Sequence, residues 1–210
     1  MKYTTIIWDW NGTLLDDAHI CMECVNDMLR KRNMQILDLE TYRSYVDNPI
    51  IKAYEHIFDL KVVTFDIIVK EFYESYPKYA EEAQLIPGAR QLLEYFKDKG
   101  CRQIILTAAY TPDVIEYLCR FNIDKYFDAV LGSQDQLGGS KISRALEYAK
   151  GGDSLTKMLV IGDTAHDAET ADAIGADCIL FAGGHQLERR LKATGKPVAK
   201  KLMDIPALIG

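Results

Sequence analysis

Short apolar, β-branched runs alternate with helical patterns over most of this 210-residue chain, and this alternation constrains the fold more than any other feature. Amphipathic helical patterns separate the runs, and such alternation is typical of a parallel sheet with helices on both faces. We therefore predict an α/β fold with a three-layer, doubly wound, Rossmann-like parallel sheet. The predicted strands are Tyr3 to Trp8, Gln103 to Leu106, Ala129 to Leu131, Met158 to Ile161 and Cys178 to Phe181.

Predicted helices occupy the stretches between these strands. The segment Ala89 to Lys99 places Leu92, Leu93 and Phe96 on one face and ends at Gly100, a residue that commonly stops a helix. Further helices are predicted from Thr111-Pro112, from Ser140 to about Lys150, from Thr164 to Ile174 and from about Gln186 to Ala193.

A block of helical pattern interrupts the alternation directly after the first strand. The segment Ala18 to about Asn33 is predicted to be helical, and Thr41 to about Asp59 is predicted to contain one or two helices interrupted by Asn48-Pro49. Thr64 is predicted to cap a further helix. This block has no strand pattern and can form a small helical module. The predicted organisation is an α/β core domain at 1–14 and 87–210 with an inserted α-helical cap domain at 15–86.

Net charge and cysteine content indicate which partners and which cellular compartment to expect. The net charge of -6 argues against a nucleic-acid-binding protein, which would carry a basic face. Five scattered cysteines are an odd number, which suits a reducing cytosol better than a disulfide framework. Neither a signal peptide nor a membrane-spanning run is visible. We expect a cytoplasmic protein, a monomer or homodimer, without nucleic-acid or membrane partners.

The turn after the first predicted strand combines the residue types of a ligand site. Asp9 lies at the carboxyl end of that strand, where open α/β sheets bind their ligands. Gly12 lets the backbone turn tightly and approach a ligand closely, and Thr13 adds a hydroxyl. Asp9 and Asn11 could instead merely shape a turn, since both residue types favour turns.

Three further predicted strand ends carry polar residues, and in a doubly wound sheet these ends converge. Thr107 follows one strand, Lys141 comes after the next strand and Gly138-Gly139-Ser140, and Asp163 follows a third, with Asp167 four residues later. Together with Asp9, these carboxylates would repel each other without a cation, and hard oxygen ligands suit Mg²⁺. Lys141 is predicted in the first turn of a helix, where the helix dipole disfavours a cation, so its position points to function.

These features resemble the haloacid dehalogenase-like hydrolases. The segment Asp9 to Leu14 resembles their first motif, Asp-x-Asp-Gly-Thr-Leu, and the layout resembles members with a small helical cap, phosphoglycolate phosphatase and its relatives in particular. The resemblance implies a phosphatase that acts on a small phosphorylated metabolite through an aspartyl-phosphate. The implied catalytic residues are Asp9, Thr107 and Lys141. The implied phosphate-binding residues are Gly12, Thr13, Thr107, Ala108 and Lys141. The implied Mg²⁺ ligands are Asp9, the backbone carbonyl of Asn11, Asp163 and Asp167, the last directly or through water.

Asn11 departs from the family pattern, which has an aspartate at that position. An amide can act neither as general acid nor as general base, so two alternatives stay open. The first is a phosphonatase-like carbon–phosphorus hydrolase with Lys52 as its Schiff-base lysine, because phosphonatases also lack the second aspartate. The second is a protein that binds phosphorylated ligands with little turnover.

Overall fold

Six parallel strands form the central sheet of the protein, which we describe from a computed structural model covering residues 2–134, 141–151 and 157–209. Their spatial order is β5-β4-β1-β6-β7-β8, so the first strand of the chain lies inside the sheet. The predicted doubly wound α/β class is therefore confirmed. The strands are β1 (Thr5–Trp8), β4 (Arg102–Tyr110), β5 (Ala129–Ser133), β6 (Met158–Gly162), β7 (Asp177–Phe181) and β8 (Val198–Ala199).

Helices cover both faces of this sheet because the side chains of β1 alternate between them. Ile6 and Trp8 pack into one hydrophobic cluster, whereas Ile7 packs into the other. The first cluster takes residues from α5, α6 and α10, and the second from α7, α8 and α9. These helices are α5 (Ala89–Asp98), α6 (Thr111–Arg120), α7 (Lys141–Lys150), α8 (Ala165–Ile174), α9 (Glu188–Lys192) and α10 (Ile205–Ile209).

The inserted block contains four helices and its own hydrophobic cluster. Tyr42 and Tyr54 are buried in this cluster, where their rings contribute to the core of the block. A two-stranded antiparallel sheet closes the block at its ends, with Leu15 paired to Leu85. The elements are β2 (Leu15–Asp16), α1 (Ala18–Lys31), α2 (Leu39–Tyr45), α3 (Ile51–Glu55), α4 (Phe65–Ser75) and β3 (Gln84–Leu85).

Several predicted boundaries differ from the observed ones. Strand β4 continues to Tyr110 through a register irregularity after Leu106, whereas the apolar pattern ends at Leu106. Thr111 is the first residue of α6 rather than its cap, and its hydroxyl donates to the carbonyl of Ser133. The predicted cap Ser140 lies outside the described residues. The short strands β2, β3 and β8 were not predicted because two residues carry no readable period.

Register places the polar strand ends at one edge of the sheet. Trp8 lies level with Ile105 of β4 on one side and Ile161 of β6 on the other. Asp9 therefore lies beside the carboxyl ends of both neighbours, and its N–H donates to the carbonyl of Ile161 at 2.8 Å. Among the described residues, none of the helices combines the length and apolar character needed to cross a membrane.

Candidate active site

Asp9 and Lys141 form a buried ion pair at the carboxyl edge of the sheet. The Nζ of Lys141 donates to Oδ1 of Asp9 at 2.6 Å and also to Oδ1 of Asp167. Lys141 is only 5% exposed although it begins a helix. The ion pairs offset the desolvation of the ammonium group and explain why a cation is kept where the helix dipole disfavours it.

Burial and the charges of neighbouring side chains shift the pKa values of Asp9 and Lys141. Burial, together with the charges of Asp167 and Asp163, raises the pKa of Asp9 above its usual range, and the charge of Lys141 opposes this shift. Burial would lower the pKa of Lys141, but Asp167 and Asp9 outweigh it and raise that pKa above its usual range. The lysine is therefore a fixed positive charge beside carboxylates that repel one another.

Asp163 and Asp167 complete an acidic group that is fully buried. Carboxylate oxygens of Asp9, Asp163 and Asp167 lie within 4.8 Å of one another. Oδ1 of Asp163 accepts from the Thr13 hydroxyl at 3.0 Å. Oδ2 of Asp167 accepts from the N–H and hydroxyl of Thr164 at 3.0 and 2.8 Å. Asp167 thus forms the capping contact expected at this helix start as well as the contact with Lys141.

The backbone of Gly12 packs directly against the side chains of Asp163 and His185. Its φ is +72°, and a β-carbon there would lie 2.3 Å from Oδ2 of Asp163 and 2.4 Å from the ring of His185. A side chain would therefore clash with the acidic group as well as strain the backbone. Gly184 approaches the same carboxylate, since a β-carbon there would lie 2.1 Å from Oδ2 of Asp163.

The irregular end of β4, after Leu106, is held by its own hydrogen bonds. Thr107 is buried, and its hydroxyl accepts from the N–H of Ala109 at 3.0 Å. Its carbonyl accepts from Arg144 at 2.7 Å. The Thr107 hydroxyl thus has a partner two residues away, and the N–H of Ala109 is bonded within the end of the strand. Ala108 is exposed beside them.

Asp17 and His185 adjoin this group, and sequence reasoning missed both. The buried carboxylate of Asp17 accepts from Asn11 Nδ2 at 2.6 Å, from the Gly12 N–H at 2.9 Å and from His185 Nε2 at 3.1 Å. The N–H of His185 donates to Oδ2 of Asp163 at 2.5 Å. Nδ1 of His185 lies 3.1 Å from the hydroxyl of Tyr42 on α2.

Asp17 and His185 form a second buried charge pair. Burial would raise the pKa of Asp17, but the charge and hydrogen bond of His185 outweigh it and lower that pKa. Burial would likewise lower the pKa of His185, but Asp17 raises it to about 9. One signal in the sequence pointed to His185: the strand ending at Phe181 is a fifth strand end, and Gly183-Gly184 precede the histidine.

Three other polar residues lie outside the acidic group. Lys52 is exposed on α3, and exposure gives no support to a Schiff-base role, which requires a desolvated amine. Arg43 on α2 donates to the carbonyl of Gly183 at 2.7 Å and so contacts the loop that carries His185. His166 Nδ1 lies 3.1 Å from the side-chain amide of Asn48.

Buried carboxylates and a lysine at the carboxyl edge of a parallel sheet form a ligand site of the kind found in doubly wound folds. The sequence profile described as haloacid dehalogenase-like hydrolase matches residues 6–181. The chain therefore belongs to the haloacid dehalogenase-like hydrolase family. The resemblance inferred from the first motif is confirmed, and the profile covers every predicted site residue.

The chain is similar in sequence and in structure to several individual proteins. Phosphoglycolate phosphatase from Rhodobacter capsulatus is 26% identical over 98% of this chain and 94% of its own length. The enzyme of the same name from Caulobacter vibrioides is 24% identical over 96% of this chain and 89% of its own length. A haloacid dehalogenase-like family hydrolase from Streptococcus pneumoniae superposes with a TM-score of 0.86 at 20% identity, covering 100% of this chain and 99% of the other. A predicted phosphatase from Clostridium acetobutylicum gives a TM-score of 0.82 at 22% identity, with coverages of 99% and 98%.

Proposed function

We propose that the chain is a phosphatase that transfers the phosphoryl group of a small phosphorylated metabolite to Asp9 and then hydrolyses the aspartyl-phosphate. One observation carries this proposal: Lys141 holds Asp9 in a buried group of carboxylates at the carboxyl edge of the sheet. A nucleophilic carboxylate needs a fixed orientation and a nearby cation to receive an anionic phosphoryl group. The named relatives, two of them phosphoglycolate phosphatases, support the same reaction class.

The remaining site residues would bind the phosphoryl group. Lys141 would neutralise its charge while it keeps Asp9 oriented. Gly12 would allow close backbone approach, and the Thr13 hydroxyl, 3.4 Å from Oδ2 of Asp9, could turn to an incoming oxygen. Thr107 and the N–H of Ala108 would border the other side of the phosphoryl group.

The donor set fits a hard divalent cation. Three buried carboxylates face one ammonium group, so the site carries excess negative charge, and oxygen-only ligands suit Mg²⁺. Asp9, the backbone carbonyl of Asn11 and Asp163 would hold the ion. Asp167 lies in the same acidic group and would contact the ion directly or through water. When bound, Mg²⁺ neutralises charge on the phosphoryl oxygens.

The inserted helices would act as a cap over this site, with the core at 1–14 and 87–210 and the cap at 15–86. The contacts of Arg43 with Gly183 and of Tyr42 with His185 join α2 to the loop after β7, which supports this role. The strands β2 and β3 lie at the two junctions. Closure would exclude water from the reacting groups.

A screen of phosphorylated metabolites, with and without Mg²⁺, tests the proposal. The panel should contain phosphoglycolate, sugar phosphates, an acyl phosphate, an aryl phosphate and phosphonoacetaldehyde. Mg²⁺-dependent phosphate release from an ester or an acyl phosphate supports the proposal. Release from phosphonoacetaldehyde alone would identify a phosphonatase, and tight binding without release would identify a phospho-ligand-binding protein.

A further inference from the structure

The side-chain amide of residue 11 is held by a buried carboxylate. Asn11 Nδ2 donates to Oδ2 of Asp17 at 2.6 Å, and Asp17 is fully buried. The other oxygen, Oδ1, accepts from the N–H of Gly12 at 2.9 Å. Asp17 therefore fixes both the side chain of Asn11 and the backbone of Gly12, two neighbours of the proposed nucleophile Asp9.

His185 connects this carboxylate to the other side of the site. Its Nε2 lies 3.1 Å from Oδ1 of Asp17, and its N–H donates to Oδ2 of Asp163 at 2.5 Å. Its ring packs against Gly12 so closely that a β-carbon there would lie 2.4 Å from Cδ2. One residue thus links Asp17 to Asp163, which lies on a different strand end.

We propose that Asp17 and His185 are positioning residues of this enzyme, and that the amide at residue 11 is present because Asp17 requires a hydrogen-bond donor there. This role rests on the proposed function, in which Asp9 is the nucleophile and Asp163 is a Mg²⁺ ligand. Asp17 holds the turn that follows Asp9, and His185 holds Asp163 against that turn. Neither residue belongs to the set inferred from the family resemblance.

The constraint on residue 11 follows from charge. A carboxylate introduced there would place an oxygen where the amide nitrogen now lies, 2.6 Å from Oδ2 of Asp17. Two buried carboxylates at that separation cannot both ionise. An acid–base carboxylate at residue 11 is therefore incompatible with ionised Asp17, and the two positions have to change together.

Exchanging the amide at residue 11 with the carboxylate at residue 17 tests whether the two positions have to change together. The proteins compared are the wild type, Asn11→Asp, Asp17→Asn and the double variant Asn11→Asp with Asp17→Asn. In the double variant the amide nitrogen introduced at position 17 takes the place of Oδ2 and donates to the new carboxylate. Its amide oxygen takes the place of Oδ1 and still accepts from Gly12 and His185. The hydrogen bond between the two positions is retained with its direction reversed.

We expect Asn11→Asp alone to lower the melting temperature at pH 7 by at least about 4 °C, and the double variant to recover most of that loss. If Asp17→Asn alone fails to fold, the comparison of Asn11→Asp with the double variant still decides. A double variant that melts no higher than Asn11→Asp would overturn the constraint.

The positioning role is tested through Mg²⁺ binding, read as the rise in melting temperature during a Mg²⁺ titration. Asp17→Asn and His185→Leu should raise the Mg²⁺ concentration for the half-maximal shift about 10-fold or more, because supporting hydrogen bonds tune ligand geometry. His185→Gln keeps a side-chain donor and should restore part of the affinity. Asp16→Asn and His19→Gln are matched controls from the neighbouring exposed ion pair and should leave the titration unchanged.

These measurements need no turnover, so they separate this proposal from the proposed function. If no phosphorylated compound is hydrolysed but the exchange and the titration behave as expected, the phosphatase reaction is wrong and the structural role of Asp17 and His185 stands. If Asp17→Asn and His185→Leu bind Mg²⁺ as tightly as the two controls, the positioning role is wrong even in an active enzyme.

Discussion

The Nζ of Lys141 lies 2.6 Å from Oδ1 of Asp9, although 132 residues separate the two along the chain. Both groups are buried, so neither has water to compensate for a missing partner. The lysine therefore neutralises the carboxylate and fixes its orientation at the same time. Parallel strands make this contact possible, since their carboxyl ends converge at one edge of the sheet.

The variant Asp9→Asn should lose turnover while keeping the fold. The amide is nearly the same size as the carboxylate, but it is a poor nucleophile and a weak metal ligand. Phosphate release with the best substrate of the screen measures the loss, and circular dichroism with thermal melting checks the fold. Asp16→Asn is the matched control and should keep wild-type rates. Wild-type rates in Asp9→Asn would remove Asp9 from the mechanism.

Replacing Lys141 should make the protein depend on a cation for its stability. Lys141→Met leaves Asp9 and Asp167 buried without their counter-charge, a change that costs about 3 to 5 kcal/mol. Urea unfolding in EDTA and in excess Mg²⁺ measures the effect, and we expect Mg²⁺ to stabilise this variant more than the wild type. Lys150→Met, at the exposed end of the same helix, should behave like the wild type in both conditions. Equal stability of Lys141→Met and wild type in EDTA would contradict the buried pair.

The amide at residue 11 should make the rate depend strongly on the leaving group. A group of low pKa departs without a proton, whereas an alkoxide needs a general acid that Asn11 cannot provide. Acyl and aryl phosphates should therefore be hydrolysed faster than alkyl phosphates, and the aspartyl-phosphate should accumulate for acid trapping.

The same argument gives the rate expected when a carboxylate is brought to residue 11. In the double variant Asn11→Asp with Asp17→Asn, alkyl-ester rates should rise more than aryl-ester rates, by up to about 10²-fold. An unchanged ratio between the two rates would show that another group already supplies the proton.

Lys52→Ala separates a phosphatase from a phosphonatase. Because Lys52 is exposed on α3, its removal should change the phosphatase rate by less than about tenfold. Treatment with phosphonoacetaldehyde and borohydride should leave the wild type active and Lys52 unlabelled in a peptide digest. Stoichiometric labelling of Lys52 with loss of activity would instead establish a Schiff base.

Asp27 should contribute acid-sensitive stability to the inserted helices. Burial would raise its pKa, but donors from Lys78, Ser75, Tyr79 and Arg30 outweigh this effect and lower the pKa below its usual value. Such a group stabilises the fold above its unfolded pKa of about 3.9, and the contribution is lost as pH falls through the lower folded value.

We therefore expect Asp27→Asn to lose about 1 to 2 kcal/mol at pH 7, and the difference from wild type to shrink toward pH 3. Urea unfolding at pH 7, 5 and 3 measures this difference. Asp98→Asn, at the exposed end of α5, serves as the matched control. A difference that grows toward acid pH would contradict the direction of the pKa shift.

The sequence by itself determined the fold class and the first members of the site. Short apolar runs and period-3.6 helical patterns are local features, so the runs ending at Trp8, Leu106 and Ile161 could be interpreted as strands without any tertiary information. Once the sheet is parallel, the position of Asp9, Thr107 and Asp163 at one edge follows from chain geometry. Lys141 was singled out as functional because a lysine in the first turn of a helix breaks a local rule, whereas its burial is seen only in the folded protein.

Only the tertiary structure decided what surrounds residue 11. The contact of Asn11 with Asp17 lies within one turn, but the burial of Asp17 and its pairing with His185, 168 residues away, depend on how β7 and the inserted helices pack. A sequence pattern shows which residues can carry charge, whereas the environment that fixes their partners and pKa values arises from packing. Compared with the family motif alone, Asn11 is a missing aspartate. In the folded protein, its amide is the hydrogen-bond donor to the buried carboxylate of Asp17.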